Sequence, residues 1–240
     1  MLQYQIQAQD ILFEDDVLIA VNKASGLPSQ ALRDSDCDHL YAALQRYLTK
    51  GAYLGLHHRL DLQTSGVVLF TKSRSVNAKV AALFRDSLIH KRYEAIAFGA
   101  PSMPEQFVAK SPIAAVRNSS PQRFSCNSSG GKNARTEYFV KNEYVFGDTS
   151  VYDLEALPIT GRTHQIRVHL ESFSLRIIGD KVYGSGRLPM HVRGIAPRRM
   201  CLHAQSLSFP HPISGEAIEI IAPKPEEFTT FLNRIAKLCR

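Results

Sequence analysis

Gly66-Val67-Val68-Leu69-Phe70-Thr71 is an unbroken apolar run rich in β-branched side chains, a pattern that suits a buried strand. A chain carrying such a strand must build a sheet and cover it. The run is far short of the roughly 20 residues that cross a bilayer, and no apolar stretch elsewhere approaches that length. Around it the pattern predicts two short strands over Ile11 to Asn22, joined by Glu14-Asp15-Asp16. Leu40, Ala43, Leu44, Tyr47 and Leu48 recur at helical spacing, with Asp38 placed to cap them. Val76, Val80, Leu83 and Phe84 mark a second amphipathic helix, and Lys91 to Phe98 alternates as a strand. Thr136 to Phe146 and Val151 to Ile159 read as a hairpin about Gly147-Asp148, and Thr163 is placed to cap a helix bearing Ile166, Leu170 and Phe173. Leu202 to Phe209 and Glu216 to Ile221 are further strands. A final helix from about Glu226 has an acidic start and ends on Lys237 and Arg240, as the helix dipole favours. Successive strands meeting through tight turns predict an α+β fold with a largely antiparallel or mixed sheet and flanking helices.

Size and composition narrow the class. The 240 residues make one large domain or two small ones, and no linker or repeat divides them, so a single domain over 1–240 is expected. With 44% hydrophobic and 21% charged residues, a disordered, collagen-like or simple coiled-coil chain is excluded. The opening residues lack the basic flank and apolar core of a secretory signal, so a cytoplasmic protein is expected. Cys37, Cys126, Cys201 and Cys239 are scattered and read as reduced thiols. Lys plus Arg exceed Asp plus Glu by 29 to 22, a net charge of +7 that suits a polyanionic partner. The excess is uneven. Asp10, Glu14, Asp15, Asp16, Asp34, Asp36 and Asp38 face only Lys23 and Arg33 in the first forty residues. Residues 110–135 carry Lys110, Arg117, Arg123, Lys132 and Arg135 without an acid, and residues 176–199 carry Arg176, Lys181, Arg187, Arg193, Arg198 and Arg199 against Asp180 alone. Both stretches read as loops. They are either solvated surface or basic arms flanking a cleft for a phosphate backbone.

Much chemistry is unsupported. No GxGxxG follows a strand, and Gly130-Gly131-Lys132 lacks the spacing and hydroxyl of a phosphate-binding loop. His57 and His58 are adjacent and would point apart on a strand, while His164 and His169 stand about 140° apart around a helix, so no metal site is expected. Two segments stand out. In His57-His58-Arg59-Leu60-Asp61-Leu62-Gln63-Thr64-Ser65-Gly66, Asp61 is either a turn-former or a carboxylate displayed at a strand mouth. In Gly161-Arg162-Thr163-His164-Gln165-Ile166-Arg167-Val168-His169, basic side chains at a helix start oppose the dipole, which invites a phosphate or an acid from elsewhere in the fold.

These segments carry a resemblance. His58 to Gly66 resembles the HRLDxxTSG motif of the RluA-type RNA pseudouridine synthases. In order along the chain, Lys91-Arg92-Tyr93 resembles that family's KxY, Gly131 to Thr136 its GKxAxT, and Gly161 to His169 its GRTHQIRVH. Gly179 to Gly184 resembles its GDxxYG, and Leu202-His203-Ala204 through Gly215-Glu216 its closing block. The likeness spans about residues 11 to 225; Ala24 departs from it, standing where the family usually has proline. The resemblance implies a central, mostly antiparallel mixed sheet crossed by a basic cleft. It also implies isomerisation of uridine to pseudouridine in rRNA or tRNA without cofactor or metal. Only about ten residues precede the first strand, so no N-terminal S4 domain is expected; with no obvious interface in the sequence, the protein is read as a monomer.

The resemblance also assigns roles. Asp61 is the essential carboxylate, acting covalently or by stabilising charge at the sugar, and either action requires it ionised. Arg167 pairs with it. At ~4 Å and an effective dielectric near 20, such a pair is worth about 4 kcal/mol before desolvation. Tyr93 stacks on the target base, worth about 1–3 kcal/mol against the few kcal/mol spent in extruding it. Arg59 fills the gap left by the flipped nucleotide. His58, Arg162 and Gln165 support the site or contact the RNA backbone. Lys91 and Asp180 read as structural. A non-catalytic RNA-binding protein on the same fold is the alternative, although binding alone requires no such acid. A glycosidase would want a second carboxylate at the bond.

Overall fold

The computed structural model describes residues 3–31, 37–49, 51–126, 130–186 and 188–239. Arg33, Asp34, Asp36, Arg187 and Arg240, named above for their charge, lie outside these. In chain order the elements begin with β1 (Ile11–Glu14), β2 (Leu18–Lys23), α1 (Leu40–Tyr47), β3 (Gly55–Leu56), β4 (Ser65–Thr71) and α2 (Asn77–Arg85). Next come β5 (His90–Gly99), β6 (Gln106–Ala109), β7 (Ile113–Ala115), β8 (Phe124–Cys126), β9 (Thr136–Phe146) and β10 (Thr149–Pro158). The chain ends with α3 (Gln165–Ser172), β11 (Arg176–Ile177), α4 (Met190–Arg193), β12 (Leu202–Pro210), β13 (Ala217–Ile221) and α5 (Glu226–Leu238). The class is α+β, as the pattern predicts.

The fold divides into two compact units, 1–91 with 204–223 and 92–203 with 224–240. In the first, β2 pairs antiparallel with β1 and β4, β3 adds to β4, and β12 pairs antiparallel with β13. Every residue of β4 is buried, as its composition demands. Val67 and Leu69 join Leu18, Ala20, Val76, Val80, Leu207 and Phe209 in one core. Gly66 is required by close approach as well as by its φ of +114°: a Cβ there would lie 2.1 Å from the carbonyl oxygen of Ala204.

In the second unit β5, β10, β9 and β6 form an antiparallel succession, with β11 on the other edge of β5. Apolar side chains of β5 and β10 pack with Phe228, Phe231, Leu232 and Ile235, the buried stripe of α5. Glu94 sits directly opposite Glu155, and Lys141 lies 3.2 Å from the first and 3.7 Å from the second, relieving the like-charge pair.

Several local expectations are corrected. His39, not Asp38, caps α1: its Nδ1 accepts the Ala42 N–H at 3.2 Å, while the Asp38 carboxylate accepts the Tyr4 N–H at 2.6 Å and pairs with Arg46. Thr163 lies one residue too early to cap α3. His164 holds that position in the left-handed region, at φ 56°, without a side-chain cap. The basic stretch 110–135 is not wholly loop, since β7 pairs antiparallel with β8. The stretch 176–199 contains β11 and the short α4.

His58, between β3 and β4, serves this scaffold. Its Nε2 accepts the Leu69 N–H at 2.9 Å and its ring stacks on Phe84 at 4.8 Å. Burial, helped by the charges of Lys91 and His57, pushes its pKa down to about 3.

Two predictions follow from this unit's packing. Gly66→Ala must move the β12 backbone and should lower unfolding free energy by at least about 3 kcal/mol, read by urea denaturation; a loss under about 1 kcal/mol would refute the close approach. The unfolded chain protonates His58 near 6.5 and the folded one only near 3. The stability this ring contributes is therefore whole above pH 6.5 and falls by about 1.4 kcal/mol per unit as pH drops toward 3. His58→Gln should show a flatter stability profile than the parent between about pH 6 and pH 4; equal slopes would place the acid sensitivity elsewhere.

Candidate active site

Asp61 is half-buried on a two-residue turn leading into β4, closed by the Thr64 N–H donating to the Asp61 carbonyl at 3.1 Å. The turn is held from below by the segment after β2. Lys23 is completely buried, and its ammonium donates to the carbonyls of Ala24, Leu27 and Leu62 at 3.0, 2.7 and 3.2 Å. The Gly26 N–H reaches the same Leu62 carbonyl at 2.9 Å, and Ser25 Oγ donates to Gln63 O at 2.7 Å. Ser29 Oγ both donates to Leu60 O and accepts the Leu60 N–H, each at 3.1 Å. The backbone on both sides of Asp61 is thus tied down while its side chain keeps access to solvent. A side chain on a loop is thereby given a fixed position. Arg59, two residues earlier, is exposed.

The second unit contains α3, whose residues Gln165 to Leu170 are all buried, including three polar side chains. Buried polar groups must be satisfied, and each is. Gln165 Nε2 donates to Arg135 O and Thr136 Oγ1, both at 3.0 Å, while its Oε1 accepts from Thr160 Oγ1 and the Arg162 N–H at 2.7 and 2.9 Å. His169 Nε2 lies 3.1 Å from Ser111 O, an acceptor, so that nitrogen carries the proton and Nδ1 accepts from Thr136 Oγ1 at 2.9 Å. Arg167, only 7% exposed, forms a two-point fork with Asp180: Nε to Oδ2 at 2.7 Å and Nη2 to Oδ1 at 2.9 Å. Burial would raise the Asp180 pKa. The bonds and charge of Arg167, with the N–H groups of Val182 and Tyr183, outweigh it and hold the carboxyl below its usual range. The guanidinium also lies over the Tyr183 ring at 4.9 Å. The Tyr183 hydroxyl accepts the Phe124 N–H at 2.8 Å and lies 2.9 Å from His164 Nδ1.

Of the two segments singled out in the sequence, each unit holds one. His58, Arg59 and Asp61 share one loop of the first. In the second, Arg162 donates its N–H to Gln165 and its exposed guanidine Nε to Asn133 O at 2.9 Å. Tyr93 is half-buried on β5, opposite Ala156 and against the core. Gln165, expected to support the site or contact the RNA backbone, is buried, and all four hydrogen-bonding positions of its amide are taken inside the protein, which favours the first. Sequence reasoning left one residue without a role and another without its partner. Lys23 was missed because nothing in its surroundings advertises that its amine is buried. Asp180 was read as structural but without its partner, although an arginine on a buried helix face needs an acid and the neighbouring Gly179-Asp180 offers one. Among the described residues no group of three or more His, Cys, Asp or Glu could hold a metal ion.

Comparison with known proteins agrees with this arrangement. The family model described as RNA pseudouridylate synthase matches residues 17–172. The ribosomal large subunit pseudouridine synthase D of Zymomonas mobilis is 35% identical over 228 residues, 91% of this chain and 70% of that protein. The dual-specificity RNA pseudouridine synthase RluA of Pasteurella multocida is 33% identical over 214 residues, 89% of this chain and 92% of that one. Among solved structures, human RNA pseudouridylate synthase domain containing 4 superposes with a TM-score of 0.75 at 26% identity, covering 95% of this chain and 93% of that one. On the match over most of its length, the chain belongs to the RNA pseudouridylate synthase family and is an isomerase acting on RNA.

Proposed function

We propose that the protein converts uridine to pseudouridine in a structured ribosomal or transfer RNA, with Asp61 as the essential carboxylate. The carbon–nitrogen bond between C1′ and N1 breaks, the uracil turns, and C5 bonds to C1′. The proton leaving C5 balances the one gained at N1, so the change is an isomerisation. Asp61 acts at C1′ as nucleophile or as counter-charge. Arg167 and Tyr93 are the other residues assigned to the reaction, and the Tyr93 ring stacks on the extruded base. Arg59 and Arg162, both exposed, face the nucleic acid, whereas His58 and Gln165 hold the loops that carry the site. The observation supporting this reading most directly is the clamped turn. Lys23, Ser25, Gly26 and Ser29 all bond to the Leu60–Gln63 backbone, so the residue fixed in place is the one carboxylate in that loop. Ribosomal RNA is favoured as target class by the Zymomonas relative, and a dual target by the Pasteurella one.

Asp61→Asn should abolish pseudouridine formation while RNA affinity stays within a few fold, read by mass spectrometry of the RNA and by filter binding. Substantial turnover by this variant would reject Asp61. Affinity should fall with salt at a log–log slope of about −0.7 to −0.9 per phosphate contact, and a flat response would remove the basic stretches 110–135 and 176–199 from RNA binding.

A further inference from the structure

We infer that Asp180 is a positioning residue for the reaction, fixing the plane and direction of the Arg167 guanidinium through a two-point fork. The inference rests on the reading that Arg167 serves the reaction. Neutralising a buried arginine needs only a nearby carboxylate, and a single-point contact would leave the guanidinium free to swing. Here two parallel bonds set its in-plane orientation, at 2.7 and 2.9 Å, and the Tyr183 face at 4.9 Å sets the plane itself.

Asp180 has no slack with which to follow a moving partner. Its Oδ1 also accepts the N–H groups of Val182 and Tyr183, at 2.8 and 3.1 Å, and its carbonyl accepts the Gly184 N–H at 3.0 Å. Glycines bracket the turn for steric reasons. A Cβ on Gly179 would lie 2.0 Å from Arg199 O, and one on Gly184 would lie 2.1 Å from Asp180 O. The same Tyr183 carries the Arg123 guanidinium at 5.1 Å and receives the Phe124 N–H, so the β7–β8 hairpin is joined to the fork through one ring. Such rigidity exceeds what charge balance requires, and orientation is where it has effect, since a misplacement near 1 Å can cost about a hundredfold in rate.

The test compares kcat and KM for Asp180→Asn and Asp180→Glu, using total RNA from cells lacking the gene and counting pseudouridine formed. Asn keeps Oδ1 for the turn but presents a donor to Arg167 Nε. Glu keeps the charge but shifts the fork by one methylene. Both should lose about tenfold or more in kcat with KM within about threefold. Full kcat in Asp180→Glu would show that charge alone suffices and would overturn the inference. So would a loss confined to KM, or both variants failing to fold by near-ultraviolet circular dichroism, which would assign the pair to the fold alone. Arg167→Ala separates the two levels. If it retains full kcat, the catalytic reading of Arg167 fails; if it loses kcat while the Asp180 variants do not, only the positioning role fails.

Discussion

A guanidinium taken out of water costs several kcal/mol unless a carboxylate meets it with good geometry, and removing one member of such a pair costs about 3–5 kcal/mol. The second unit is arranged around that requirement. Because Arg167 is buried on α3, Asp180 must be delivered to it, and the chain does so with a tight turn whose glycines leave room for neighbouring carbonyls. Because Gln165 and His169 lie on the same buried helix, Thr136 at the start of β9 must serve both, accepting from the amide and donating to the imidazole. α3 is thereby tied to the Asp180 turn by one set of hydrogen bonds and to the start of β9 by another, and a change in either leaves a buried polar group unmet.

The first unit buries a cation of its own. Lys23 is buried among carbonyl oxygens, so its ammonium is hydrogen-bonded through neutral dipoles. The arrangement ties two loops together, and one of them is the turn that displays Asp61. Ala24, where the family usually has proline, follows directly; the neighbouring lysine and glycine bonds already restrain that segment.

The reach of the sequence follows from how local each interaction is. The β4 run, the amphipathic stripe of α5 and the β9–β10 hairpin were legible because their signals repeat along consecutive residues. Helix starts were less so. Asp38 and Thr163 are good capping residues by type, but Arg46 and Tyr4 engage the first, and the left-handed turn at His164 displaces the second. The motif residues pointed to the family because their order survives in the chain. What they do was harder to read. Gln165 is polar and sits beside two basic residues, which suggests a ligand, yet its amide is consumed by Thr160, Arg162, Arg135 and Thr136. Two of these partners lie three and five residues away and two about thirty, and periodicity carries none of them.

One topological feature bears on how the chain is made. The first unit is closed by residues 204–223, which follow its earlier strands by well over a hundred positions. β4 therefore waits, with every side chain buried in the final state, for a neighbour translated long afterwards. The nascent polypeptide must carry this uncovered apolar strand through most of its synthesis, and the loop that has to close is large. Slow maturation and dependence on chaperone protection are the expected costs of building the Asp61 turn beside a strand whose companion emerges so late.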